Sequence, residues 1–363
     1  MRQDIPELTS LRFFAALAVV ISHMHGLGFI DAPELHRFLD GGRPAVAFFF
    51  MLSGFVLCLR YAPADLGGRY FTARFARIYP VHIFGLALSV PAVLFVAMTD
   101  AALADRMFAL KGNISALLIV SFLAQVLLLT AWIPVAGINQ PWSFATWSLS
   151  CEVFFYCVFP ALRKRLSNWS ARALVALAAS AWLAQAAWCF AVPLVFPENR
   201  AGFLIYQFPL PHLFEFITGM MCGILYRRGA LERLAGYGRA GVAIALAGLV
   251  LLSVFQPLHP AYLLQGPLFA VLILAVAVSG GTGPLLNGKL VLLGAASYSL
   301  YIVHVPVLTA LKLCGMQDYP LPVLLGLVGL SVLAFKYVEE PCRRVILGWR
   351  GPAAVRDGER TAH

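Results

Sequence analysis

Residues 8–25 read LTSLRFFAALAVVISHMH, most of an apolar stretch from Leu8 to Ile30 that nevertheless carries Arg12 and His23. The stretch is long enough to cross a bilayer as a helix. Two positions eleven apart in such a helix are about three turns apart, so Arg12 and His23 share one face, with His23 about 16 Å further along the axis. A charged side chain at lipid depth costs about 2.5–3.5 kcal/mol or more, so ionisable residues there face a bundle interior or a wet cavity. The Arg12–His23 stripe is therefore predicted to point inward. A fixed cation near one surface and a base at mid-depth suit chemistry on an anionic molecule that enters from that surface.

The composition extends this reading to the whole chain. Hydrophobic residues make up 61% of the 363 and charged residues 12%, about half the charged fraction of a soluble globular protein. The sequence predicts an all-α integral membrane protein: one membrane domain over 1–342 and a basic cytoplasmic tail, expected to be disordered, over 343–363. The seven cysteines form no CxxC pair and lie mostly in apolar segments, which supports neither a disulfide framework nor a metal site. Asp4, Glu7 and the polar interruption at His23 argue against a cleaved signal peptide.

Spanning-length apolar segments fall near 9–30, 44–60, 78–98, 114–133, 147–162, 173–192, 208–226, 240–256, 263–279, 290–311 and 321–338. Four regions rich in Arg and Lys, at 60–77, 163–172, 227–239 and the tail from Arg343, should all be cytoplasmic. An even number of crossings must then separate 60–77 from 163–172, where three candidates lie. The 114–133 segment, followed by Pro134, Gly137, Asn139, Gln140 and Pro141, is predicted to be re-entrant or interfacial on the outer side. That leaves about ten transmembrane helices with both termini cytoplasmic. The net charge of +10 then belongs to the cytoplasmic face and gives no reason to expect a nucleic-acid partner.

Polar residues within the spans mark the working region. Arg74 and Arg77, in YFTARFARIYP, stand three apart on one helical face. Such a pair can grip phosphate bidentately; the same spacing equally suits anchoring by snorkelling. Glu152, in WSLSCEVFFYCVFP, is an intramembrane carboxylate entering from the outer side, fit for function or for a structural ion pair. His304, in SYSLYIVHVPV, lies at a depth comparable to His23, as a core histidine or a second functional one. Glu215 is a further intramembrane carboxylate, whereas His82, His212 and His259 fall near span ends, where solvated interface histidines are expected. His25, two residues from His23, points off the Arg12 face. No Walker A loop, GxGxxG, GxSxG or HExxH occurs. Two poles result: an inner cationic pole of Arg12, Arg74 and Arg77, with Glu339 and the tail nearby, and a middle-to-outer pole of His23, His304 and Glu152.

These residues also carry a family resemblance. LTSLRFFAALAVVISHMH resembles the first span of the membrane acyltransferase-3 family, in which Arg is followed after ten residues by His, here Arg12 and His23. Arg74 and Arg77 match its Arg-x-x-Arg, Trp147–Glu152 its WSL-x-x-E block, Ser297–His304 its SYSLY-x-x-H block, and Glu339, Glu340 and Pro341 its closing Glu-x-Pro. Glu340 departs from the family in standing where a base is common. The resemblance implies a transferase of the cell (inner) membrane that moves an acyl group, usually acetyl from acetyl-CoA, to a hydroxyl of a carbohydrate or glycolipid. His23 would be the catalytic base with Arg12 in support. Arg74, Arg77 and Glu339 would serve the donor, and Trp147, Glu152 and His304 the acceptor side or core. Acyl-CoA would be a co-substrate and no metal is implied. The competing reading is a transporter whose Arg and His residues line a substrate or proton path.

Overall fold

The computed structural model describes residues 5–32, 42–254, 264–280 and 283–348, and every regular element among them is helical. The first three helices are α1 (Pro6–Gly26), α2 (Gly42–Arg60) and α3 (Gly68–Thr99). Short helices α4 (Ala101–Phe108), α5 (Ile114–Val126) and α6 (Ala136–Asn139) lead to α7 (Trp147–Leu166), α8 (Ala171–Val195), α9 (Glu198–Tyr206) and α10 (Pro209–Arg227). The remainder comprises α11 (Gly238–Val254), α12 (Gln265–Val278), α13 (Gly288–Ala295), α14 (Ser297–Leu313), α15 (Pro320–Ala334) and α16 (Glu340–Gly348). Seven helical stretches are long and apolar enough to cross a membrane, and α13 with α14, bent by 56°, make an eighth when taken as one span. The chain is a multi-pass membrane protein.

Local chemistry sets the helix ends. Pro6 opens α1, where its missing N–H costs nothing. Side chains of Asp100, Asn113, Ser170 and Asn287 accept from backbone N–H groups at the starts of α4, α5, α8 and α13, as capping residues do. α3 begins ten residues before the apolar segment at 78–98, because the Arg-containing turns of YFTARFARIYP continue the helix below the hydrophobic stretch. α16 likewise runs past the expected boundary at 342. Glu340 pairs with Arg343 and Arg344 at helical spacing, which makes Arg343–Gly348 helical rather than disordered; residues 349–363 lie outside the described residues.

α5 has thirteen residues and spans about 20 Å, short of the roughly 30 Å of hydrocarbon. The chain after it folds back: Ser121 donates to the Ile138 carbonyl (2.9 Å), and Gln125 donates to the carbonyls of Pro141 (3.3 Å) and Ser143 (3.2 Å). Asn139 is buried there, its amide donating to the Ile133 carbonyl at 2.6 Å.

Two glycines let backbones approach where the site is built. A methyl group on Gly219 of α10 would lie 1.8 Å from the Met51 carbonyl oxygen of α2, and one on Gly294 of α13 would lie 1.9 Å from that of Thr9 in α1. Small residues at helix contacts are how membrane bundles gain dispersion energy. The Gly294 contact presses α1 against the α13–α14 pair, where Ser10 also donates to the Leu285 carbonyl at 2.6 Å. Between α15 and α16 the helix takes one π turn, Phe335–Glu339, which ends on the buried Glu339.

Candidate active site

The packing of α1 on α14 brings His23 to His304. Nδ1 of His23 lies 2.7 Å from Nε2 of His304, with the rings parallel to within 3° and their centroids 5.0 Å apart. Phe144 meets His23 edge-on at 4.9 Å, and Tyr301 leans on His304 at 5.6 Å. A bond between two imidazole nitrogens needs one donor and one acceptor. With His23 donating from Nδ1, His304 accepts on Nε2, and the lone pair of His23 Nε2 is left over. That Nε2 makes no hydrogen bond among the described residues, and His23 is only half-buried while His304 is fully buried. Of the two tautomers that fit this bond, the one in which His23 donates is the one a general base requires.

Below the pair lies a cavity of about 1480 Å³, walled by α1, α2, α3, α7, α14 and α16, with the end of α10. Arg12, Arg74 and Arg77 all line it. Each is held differently. Arg77 forms an ion pair with the buried Glu339, which also accepts from Ser299 at 2.7 Å, and lies 5.1 Å over the Tyr298 ring. Arg74 donates to the Tyr61 hydroxyl at 3.1 Å and lies between the rings of Tyr61 (5.4 Å) and Tyr156 (5.5 Å). Arg12 has no hydrogen bond or ion pair with another described residue and lies within electrostatic reach of Arg77, Glu152 and Glu339. Arg74 and Arg77 both face aromatic rings, and arginines outnumber carboxylates in the cavity lining.

Glu152 does not sit with the histidines. It lines the same cavity as Arg12 and Arg74, accepting from Ser53 (3.3 Å) and from Tyr156. Glu152 and Tyr156 are four apart, one turn along α7, so the face that carries Tyr156 to Arg74 carries Glu152 with it. Neither imidazole lines the cavity. Tyr301 joins the two regions: it lines the cavity, packs on His304, donates to the Ala145 carbonyl (3.0 Å) and shares a hydrogen bond with Ser148 (2.6 Å). Trp147 packs between Phe50 (6.1 Å) and His212 (5.4 Å). Ser148 and Tyr301 fall inside the matched blocks but are given no role there, and Tyr156, Ser53 and Tyr61 are not singled out by the sequence reading. Tyr156 and Tyr301 had a signal, standing one turn from Glu152 and from His304 respectively.

Two histidines expected at solvated interfaces are buried instead. His82 bonds through Nε2 to the Gln125 carbonyl (2.9 Å). His212 bonds through Nδ1 to Glu215 (3.2 Å) and through Nε2 to the Tyr206 carbonyl (3.3 Å), while Gln185 donates to the other Glu215 oxygen (2.8 Å). Other helices cover both positions: α5 meets His82 through Gln125, and Phe50 of α2 and Trp147 of α7 pack on His212. His259 lies outside the described residues. His25 bonds to the Ile30 carbonyl at 2.9 Å. Among the described residues no group of three or more His, Cys, Asp or Glu gathers to hold a metal.

A family model described as an acyltransferase domain, the acyltransferase-3 type, matches residues 5–338. The chain belongs to that family. The matched region holds Arg12, His23, Arg74, Arg77, Trp147, Glu152 and His304, and ends one residue before Glu339. The chain is 29% identical to acyltransferase MdmB of Streptomyces mycarofaciens, over 97% of this chain and 94% of that one. It is 28% identical to the exopolysaccharide production protein ExoZ of Rhizobium meliloti (strain 1021), over 88% of this chain and 96% of that one. No solved structure matches the chain at a significant level. The protein is a membrane acyltransferase.

Proposed function

We propose that this acyltransferase moves an acyl group, acetyl in the first instance, from cytoplasmic acyl-CoA to a hydroxyl of a carbohydrate or glycolipid presented at the outer side of the cell (inner) membrane. The observation that carries the reading is the cationic cavity closed by Tyr301, the residue packed on the His23–His304 pair. Its arginines suit the phosphates of a nucleotide thioester, and the eleven-residue interval from Arg12 to His23, about 16 Å, gives the pantetheine arm its run. The acceptor class draws on the relative named for exopolysaccharide production.

In this mechanism His23 Nε2 takes the proton of the acceptor hydroxyl as its oxygen attacks the thioester carbonyl. The C–S bond then breaks, an ester forms, and the proton passes to the departing thiolate, so coenzyme A leaves as the thiol. His304 accepts from His23 Nδ1 and stabilises the imidazolium that forms between the two proton transfers. Arg74 and Arg77 hold donor phosphate, Glu339 aims Arg77 from behind, and Arg12 supports donor or base.

The topology that serves this chemistry has ten spans with both termini cytoplasmic. It is supported by contacts among the arginine-rich segments, Arg227 donating to the Cys58 carbonyl and Arg228 to the Ser167 and Trp169 carbonyls, and by the return of the chain along α5. Purified protein in vesicles with labelled acetyl-CoA on the arginine-rich side tests the function. Label should appear as an alkali-labile ester on added glycan, with one free thiol released per ester. Label reaching the glycan only from a lipid-linked donor, with acetyl-CoA inert, would overturn the donor assignment.

A further inference from the structure

The cavity carries more arginines than the catalytic reading uses. Beyond Arg12, Arg74 and Arg77, its lining includes Arg60, Arg69, Arg227 and Arg343. These four stand at helix ends: the last residue of α2, the second of α3, the last of α10 and the first turn of α16. Arg69 and Arg77 lie on the same helix eight residues apart, so Arg69 sits about 12 Å along α3 from the Arg77–Glu339 pair. The arginines form two tiers, one deep and one at the rim.

The rim is not neutralised by its own acids. Glu340 is bridged by Arg343 (2.8 Å) and Arg344 (3.0 Å), and Asp65 accepts from the Ala62 N–H at 2.8 Å. Arg69 and Arg227 have no carboxylate partner among the described residues; Arg227 donates only to the Cys58 carbonyl (3.2 Å). The volume, about 1480 Å³, exceeds the roughly 300–1,000 Å³ of ordinary small-molecule sites. It leaves room for a nucleotide at the mouth in addition to a thioester arm further in.

Resting on the acyl-CoA reading above, we infer that the rim tier is a separate phosphate subsite. There Arg69 and Arg227 bind the ribose 3′-phosphate of the donor. The deep tier takes the diphosphate. Two phosphoryl groups at different distances from the thioester call for two groups of cations at different depths, and planar guanidiniums suit a terminal phosphate dianion. The rim then makes the enzyme select full coenzyme A over a donor that lacks the 3′-phosphate.

The test measures binding of coenzyme A and dephospho-coenzyme A to the full-length protein in detergent by calorimetry. Wild type should bind coenzyme A roughly tenfold to a hundredfold more tightly, the scale of a charge-assisted hydrogen bond. In the Arg69→Ala/Arg227→Ala variant, coenzyme A should fall to the level of the dephospho form, whose own affinity stays unchanged. Arg69→Lys/Arg227→Lys should keep part of the preference, and Arg239→Ala, at the start of α11 and outside the cavity lining, all of it. Equal wild-type affinities for the two nucleotides overturn the subsite while leaving the donor reading intact. An equal loss of both nucleotides in the alanine variant also overturns it and returns the rim to membrane anchoring. Failure of either nucleotide to bind wild type overturns the donor reading itself.

Discussion

Two of the polar clusters in this bundle, His212 with Glu215 and His23 with His304, are each built around an imidazole. His212 spends both ring nitrogens, one on Glu215 and one on the Tyr206 carbonyl, and Gln185 takes up the remaining carboxylate oxygen. His23 spends one ring nitrogen on His304 and keeps the other. The first cluster sits in a closed shell of Phe50 and Trp147; the second adjoins, through Tyr301, a large cationic cavity. The difference lies in unspent valence. A histidine whose nitrogens are both satisfied ties helices together, and one with a nitrogen to spare can move a proton. Burial differs as well, His212 being buried and His23 half-buried, although the partner His304 is buried too.

The largest expected effect tests that distinction directly. His23→Ala should lower acyl transfer about 10²–10⁴-fold, the scale of losing a general base, with donor binding retained. His212→Ala should leave turnover per folded molecule within a few-fold. The reverse ranking, measured by single-turnover label transfer, would break the comparison. His304→Ala comes next, removing the partner that fixes the His23 tautomer. A loss of about 10–100-fold is expected, the range seen when an orienting partner of a functional imidazole is lost, falling on turnover and leaving donor affinity unchanged. A structural role would instead lower protein yield and spare the turnover of what folds.

A third measurement sharpens the pair through protons. The wild-type rate should fall as pH drops through the histidine's titration, since protonated His23 has no lone pair to offer. His212→Ala should instead cost about 1–3 kcal/mol of stability, because Glu215 is left buried with one oxygen unsatisfied. Thermal unfolding in detergent with and without His212 measures this. Least affected should be His25→Ala, whose ring is engaged with the Ile30 carbonyl off the active face; a loss beyond a few-fold would move part of the chemistry to the outer end of α1.

Much of this was legible in residue spacing. The eleven-residue interval in α1 put Arg12 and His23 on one stripe, and the comparable depth of His304 becomes a direct hydrogen bond once α1 packs on α14. The placement of Glu152 was not legible. Its depth along α7 could be read, but the rotation that turns it toward Arg74 depends on Tyr156 and on how α7 meets α3. Gln125 was hidden for a similar reason. It looks like one polar residue near the end of an apolar run, yet it joins α3, α5 and the chain before α7 by accepting from His82 and Thr146 and donating to Pro141 and Ser143. The 56° bend between α13 and α14 has no proline to announce it. Side-chain identity predicted which groups had to be sheltered, and tertiary contact decided which of them met.

The π turn at Phe335–Glu339 has a consequence for the phase of the last helix. One widened turn accommodates one residue more than an α-helix would, so everything from Glu339 onward is displaced by about 100° from the direction α15 would otherwise give it. Arg77, which Glu339 holds, therefore depends on the length of the chain as well as on its chemistry. Removing a single apolar residue just before Lys336 would let the helix heal into ordinary α geometry and swing the carboxylate off its arginine, with every functional side chain still present. Such a deletion would silence the enzyme through register alone.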